Sequence, residues 1–403
     1  MSKRVGGFIG QDGLNAPDEP TSVSASAGDT EATVSFTAPS NVGGSAVTGY
    51  VATSNDGIGA TGSSSPITVT GLSNGTSYTF RVWALNAFGY SAPSAASGSV
   101  TPVSPFAAAT AYFMGGSSSD VTIDYVNIQT TGNATDFGDL AQGKDFLAVS
   151  SSATRAIITG FETGGATAND IDKLDLTTTG NSADFGELTQ NSQWGGGAVS
   201  NGTRGVHLIG YGAGVVVVNS MEYVTIASDG NATDFGDRSV ATYAAMGQCM
   251  NSTTRGVFAG GALSDNTKQN VIDYITIAST GNATDFGDLS SATVGAGGSS
   301  NVTRAVIVGG DTSLTPYSNV MSYITIASTG NSTDFGDLTV ARRYCAASAD
   351  STRLLIGGGD NGSNSTVIDY ITIASTGNAT DFGDLTTDRK GLSAASNAHG
   401  GLS

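Results

Sequence analysis

Positive charge, histidine, cysteine, proline and long apolar runs are all scarce in this chain. Only 16 of its 403 residues are Lys or Arg, against 34 Asp or Glu, which gives a formal net charge of −18. Binding to a nucleic-acid backbone or to anionic lipid needs a basic face, so neither partner is expected. Charged residues of both signs make up only 12% of the chain and apolar residues 38%, so it is not a disordered acidic tail and can bury a core. Two cysteines, Cys249 and Cys345, cannot staple a chain of this length and are expected to be free, small buried hydrophobes. The longest aliphatic run, Val215 to Val218, is far short of a membrane span. The basic start Lys3-Arg4 is followed by no apolar stretch, so no secretory signal is expected. Lys, Glu and Leu are too sparse for a helical bundle.

Catalytic chemistry is also missing. His207 and His399 are the two histidines, and no Cys/His spacing suits zinc. No serine sits in a nucleophile elbow, and Asp-Phe-Gly recurs without a phosphate loop or catalytic-loop motif. No catalytic residue, metal or cofactor is therefore assigned. His207 reads as a core filler.

What the chain has is glycine, 57 residues in all, and internal repetition. The string Thr131-Gly132-Asn133-Ala134-Thr135-Asp136-Phe137-Gly138-Asp139-Leu140 recurs with its phenylalanine at 185, 235, 286, 335 and 382, giving periods of 48, 50, 51, 49 and 47. An Ile-Asp-Tyr-Ile-Thr-Ile segment precedes each string, as at Ile272 to Ile277. Before that comes Thr-Arg, an apolar run and Gly-Gly, with arginines at 155, 204, 255, 304 and 353. A stretch of small residues leads into each Thr-Arg. Four short strand candidates per period of this length predict a β-propeller blade, with small residues on the innermost strand where blades converge. The first unit lacks its small-residue strand and the chain ends with a spare one, Leu392 to Asn397, so the C-terminus is expected to complete the first blade. The fold class predicted is all-β, with residues 106–403 forming a six-bladed propeller closed by a C-terminal strand. These repeats resemble the kelch-like family, with the phenylalanine of each string where that family carries an aromatic.

Residues 18–102 differ. Thr33 to Pro39, Gly49-Tyr50-Val51, Leu72, and Tyr78 to Ala84 followed by Asn86 to Ser91 resemble strands B, C and F and the F–G turn of a fibronectin type III domain. That resemblance implies a two-sheet sandwich in which Leu72 and Tyr78 build a tyrosine corner. Residues 1–17 remain, either a loose tail or an anchor peptide using Lys3, Arg4 and Phe8. The join, Thr101 to Pro105, reads as a short stiff linker.

Each repeated string holds several oxygens and is weighed as a calcium loop. Its presence in every repeat favours a structural turn capped by Asx hydrogen bonds, with the repeated arginines partnering some of its carboxylates. Variation concentrates in two places, the lead-in to each inner strand, which carries Phe146, Trp194, Tyr243 and Tyr344, and the Gly-Gly to Ile-Asp-Tyr connection, such as Ala262 to Asn270 and Asp311 to Asn319. These aromatics are candidate receptor contacts on a rim, or plugs between blades.

The basic N-terminal peptide, the fibronectin-like module and the reiterated Ile-Thr-Ile-Ala-Ser-Thr-Gly-Asn-Ala-Thr-Asp-Phe-Gly-Asp string together resemble virion proteins of tailed, cyanophage-like bacteriophages. The resemblance implies a tail-fibre, tail-associated or capsid-surface protein. It would be assembled in the host cytoplasm and carried in several copies on the virion surface. Its partners would be other virion proteins through the N-terminal segment, and a host-surface glycan or protein through the propeller. The alternative is a bacterial surface or secreted adhesin or carbohydrate-binding module.

Overall fold

The computed structural model describes residues 15–116, 120–162, 169–192, 194, 197–212, 216–244, 247–248 and 250–398. Lys3, Arg4, Phe8, Cys249 and His399 lie outside them. The chain divides into two compact units, Met1–Ala107 and Ala108–Ser403, and the described regular structure is all-β apart from one short 3-10 turn at Pro105–Ala107.

In the first unit, alternation of apolar and polar residues builds two sheets with one buried face each. One sheet holds Thr21–Ala27, Glu31–Thr37 and Ile67–Thr70, and the other Gly59–Gly62, Gly49–Ser54, Phe80–Asn86 and Gly89–Tyr90. Val34, Phe36, Tyr50, Val69, Phe80 and Val82 fill the space between. Leu72 and Tyr78 are both buried, and the Ser73 N–H donates to Tyr78 Oη at 2.9 Å. After the last hairpin, Ser91, Ser94 and Ser97 lie along Phe80–Asn86. Each serine donates its N–H to a strand carbonyl, of Ala84, Val82 and Phe80 respectively. Its hydroxyl in turn accepts the N–H of that same residue, at 2.9, 2.9 and 3.0 Å. A three-residue period thus seals a strand edge whose own period is two. The expected linker is not free at its start. Pro102 O accepts the Gly75 N–H at 2.8 Å, and the Val103 N–H donates to Gly28 O at 3.2 Å.

In the second unit the repeats form successive antiparallel sheets, except that Gly247–Gln248, which leads into the fourth, pairs parallel with Gly197–Ser200 of the third. Lys144–Ser151, Arg155–Glu162, Asp170–Asp175 and Ala183–Glu187 make the second. Gly297–Ser300, Arg304–Val308, Val320–Thr325 and Thr333–Asp337 make the fifth, and Ala346–Ala349, Arg353–Gly357, Ser365–Thr372 and Thr380–Arg389 the sixth. In the first sheet, Ser393–Ser396 from the chain's end pairs with Thr110–Met114, with Ser393 opposite Met114 and Ser396 opposite Ala111. Gly197–Ser200, Gly297–Ser300, Ala346–Ala349 and Ser393–Ser396 are buried along their whole length, and each strand of small residues contacts the corresponding strand of the next repeat, including the last, Ser393–Ser396, with Lys144–Ser151.

The repeated string does its work between sheets. Its phenylalanine is only 2–3% exposed in every repeat. In five repeats it meets a tyrosine of the neighbouring strand edge-on, as Tyr274 meets Phe286 at 6.0 Å. The following glycine marks a bulge with φ between 136° and 155°. A Cβ there would stand 2.3–2.6 Å from the glycine carbonyl of the next repeat. Only glycine fits. The asparagine of that next repeat turns its Oδ1 back to accept the N–H of the string's final acidic residue. Asn181 does so from Asp139 at 3.0 Å, and Asn133 closes the series from Asp384 at 3.2 Å. The Asx bond is therefore a clamp between repeats, not a cap within one turn.

The arginines correct a second expectation. With one exception they do not pair with the string carboxylates. Each donates to an isoleucine carbonyl of the following repeat, Arg304 to Ile373 O at 2.8 Å and Arg353 to Ile128 O at 3.0 Å. Four of them also stack on a tyrosine of their own sheet at 4.1–4.4 Å. Only in the second repeat, where Lys173 replaces that tyrosine, does an arginine meet a string carboxylate: Arg155 pairs with Asp229, which stands at the first position of the third copy, where the first copy has Thr131.

Candidate functional site

Six equivalent residues, one per repeat, enter the innermost strands in the left-handed conformation. They are Phe146, Trp194, Ala244, Gly295, Tyr344 and Gly391, with φ of 50°, 52°, 48°, 63°, 56° and 67°. Successive members are 48, 50, 51, 49 and 47 residues apart, the period of the repeated string. Their backbones form a chain of hydrogen bonds. Phe146 N–H donates to Gly391 O, Gly391 to Tyr344, Tyr344 to Gly295, Gly295 to Ala244, and Ala244 to Trp194, at 2.6–3.3 Å.

Three of the four candidate aromatics occupy this chain and lean on one another. Phe146 and Trp194 stack at 3.9 Å, and Tyr344 meets Phe146 edge-on at 5.2 Å. The rings cover the small members. A Cβ on Gly295 would stand 2.3 Å from the Tyr344 ring, and Gly391 lies against Phe146. Tyr243 is one residue out of register, because Ala244 takes the equivalent place. Its ring still joins the cluster, 6.2 Å from Trp194 and 4.9 Å from Tyr211. All five rings are half-buried. Burial pushes the Tyr344 and Tyr243 phenols up, so both remain hydroxyl donors at neutral pH.

A chain of ion pairs, three cations and two carboxylates, runs beside the rings. Asp311 bridges Lys268 at 2.6 Å and Arg343 at 3.3 Å, and Asp360 bridges Arg343 at 3.1 Å and Lys390 at 3.6 Å. The Arg343 guanidinium also lies over the rings of Tyr344 and Tyr317. The resulting surface offers ring edges, hydroxyls and a chain of three cations and two carboxylates. It has no general base aimed at a cavity. Among the described residues no group of three or more His, Cys, Asp or Glu could hold a metal ion, and the string asparagines spend their Oδ1 atoms on the clamp. His207 is buried between Ser150 Oγ at 2.9 Å and Thr159 Oγ1 at 3.0 Å. Cys345 is a buried free thiol.

The comparisons bear on the first unit. Residues 18–99 match the fibronectin type III domain family. A crystal structure of titin domains is similar at 30% identity with a TM-score of 0.21, the match covering 22% of this chain and 32% of that one. The chain thus spans about a third of that structure's length. No curated protein matches.

In the fibronectin type III domain, Phe88 and Tyr90 are exposed at 46% and 58%, on the hairpin that follows Phe80–Asn86. Sequence reasoning missed Tyr211, Tyr317 and Arg343 at the aromatic surface. The signal for the register was available. Counting the repeat period from Phe146 lands on Ala244 rather than Tyr243.

Proposed function

We propose that residues 108–403 are a six-bladed, kelch-like β-propeller closed by its C-terminal strand. In this reading the chain is a non-enzymatic binding protein whose aromatic mouth engages a host-surface saccharide or protein. One observation carries the reading. Phe146, Trp194 and Tyr344 hold left-handed backbone at a conformational cost of about 1–2 kcal/mol each, where Gly295 and Gly391 hold it freely. A ring serving structure alone has no need of a bulky residue at these positions. Large aromatics at the centre of a half-buried surface are the groups that anchor partners, stacking on sugar rings at low entropic cost. Fibronectin type III domains are typically non-catalytic modules, which agrees with a display role for the first unit. The setting, a tailed-phage virion protein attached through residues 1–17, rests on the sequence likeness alone.

Replacing Trp194 and Tyr344 by glycine relieves the backbone while removing the rings. The expected result is loss of binding on an array of bacterial surface glycans with a melting temperature that holds or rises. Binding that is unchanged while melting falls by several degrees would make the rings packing and defeat the reading. Mass spectrometry of purified phage particles tests the setting, and absence of the chain from them would remove it.

A further inference from the structure

The fifth repeat lacks a pair of groups that fill the corresponding space in its neighbours. Two residues before each left-handed position stands Lys144, Ser192, Thr242, Thr293, Arg342 or Arg389, and the third strand of the following sheet offers Asp172, Glu222, Asp273, Ser322, Asp369 or Asp124. In three repeats these two positions form a buried ion pair, Arg342–Asp369 at 3.1 Å, Arg389–Asp124 at 2.6 Å and Lys144–Asp172 at 3.4 Å. The fourth repeat brings its cation from a different position, Arg238, which reaches Asp273 at 3.0 Å. The third keeps its carboxylate, Glu222, bonded to Thr189. In the fifth both members are hydroxyl residues, and a cavity of about 210 Å³ lies there, lined by Leu289, Ser290, Thr293, Ile307, Leu314 and Ser322.

We propose that this cavity is a binding site for a single neutral sugar ring. No charged side chain lines it, so an ionic ligand would be desolvated without a counter-charge. Ser290 occupies the place from which Thr339 and Thr386 bond a carboxylate elsewhere. Ser322 stands in the lining where neighbouring repeats place a carboxylate, and Ile307 corresponds to Ile356, whose carbonyl accepts from Arg342. The site therefore keeps acceptors and hydroxyls that a polyol can satisfy, while Leu289 and Ile307 suit the C–H face of a sugar. Leu314, at 92% exposure the most open large apolar residue described, stands at its entrance. The volume is below the usual range for drug-sized ligands and suits one ring.

Saturation-transfer NMR on the full chain with D-glucose, D-galactose, D-mannose and N-acetylglucosamine tests this. At least one is expected to bind with a dissociation constant of about a millimolar, and glucuronate and methylguanidinium are not. In the background Trp194→Gly/Tyr344→Gly, which removes the aromatic mouth, the signal that remains belongs to this cavity, and adding Thr293→Arg/Ser322→Asp, which installs the neighbours' ion pair, should abolish it. In the same background Ser290→Ala/Ser322→Ala should weaken it about tenfold. No binding of any neutral sugar, equal binding by the filled variant, or preference for methylguanidinium would overturn the proposal.

Discussion

His207 shows how a residue that sequence alone could call only a filler acquires a measurable consequence. It is buried, with its ring nitrogens at 2.9 Å from Ser150 Oγ and 3.0 Å from Thr159 Oγ1. Burial lowers its pKa from 6.5 to about 3. The folded imidazole therefore stays neutral while the unfolded one takes up a proton below pH 6.5. The unfolded state binds more protons in that window, so stability is complete above pH 6.5 and falls as pH drops toward 3, with a slope approaching about 1.4 kcal/mol per pH unit. Comparing the wild type with a variant that lacks this imidazole isolates its share of the slope. Denaturant titrations between pH 6.5 and 5 are expected to show the wild type losing roughly 1–2 kcal/mol of unfolding free energy and His207→Gln losing almost none. Parallel pH dependence in the two proteins would refute this.

Between elements, the repeats carry an internal experiment in the exchange of an ion pair for two hydroxyls. Arg342 and Asp369 are each 0% exposed, so removing one partner strands the other. Asp369→Ala is expected to cost about 3–5 kcal/mol. Transplanting the fifth repeat's solution, Arg342→Thr/Asp369→Ser, should cost clearly less, because a buried pair largely offsets its own desolvation and the doubly neutral site leaves no stranded charge. A double variant as damaged as the single one would contradict this account, and thermal or denaturant unfolding of both proteins decides it. The same contrast explains what was readable beforehand. Strand identity and repeat length were legible because Phe137 and its counterparts, the bulge glycines and the Thr-Arg motif recur with fixed spacing. The partner of each arginine was not legible, because a carbonyl of Ile226 or Ile373 in the next repeat carries no mark in composition. The sandwich core was legible from alternation around Phe36 and Phe80, whereas the serine period at 91, 94 and 97 was not seen as an edge seal. Of the candidate site, the aromatic side chains were visible, but their left-handed backbone and their stacking depend on closure in three dimensions.

At the scale of the whole second unit, the first and last repeats are joined at every distance from the innermost strands. Innermost, Ser393–Ser396 pairs with Thr110–Met114. Next comes the buried contact of Arg389 with Asp124 at 2.6 Å. Arg353 reaches Ile128 O, and outermost the Gly132 N–H donates to Phe382 O at 2.9 Å beside the Asn133 clamp on Asp384. Only the first of these links depends on the last thirteen residues, 391–403, so their deletion isolates one contribution. It would uncover the Thr110–Met114 edge, remove Leu392, Ala394 and Ala395 from positions at most 2% exposed, and withdraw Gly391 from the backbone chain that carries Tyr344 and Phe146. Lost strand pairing and apolar burial together amount to several kcal/mol, which for a domain of this size is on the order of 10 °C in melting temperature. The freed edge also offers unpaired backbone groups to a second copy, so self-association should accompany the loss of stability. Scanning calorimetry and light scattering on residues 1–390 against the full chain check both effects. The single substitution Asn133→Ala, which breaks only the outermost link, should cost about 1 kcal/mol and leave the protein monodisperse. If the truncated chain melts within a degree or two of the full one and shows no association, the final strand is an appendage and the unit is held by its other links alone.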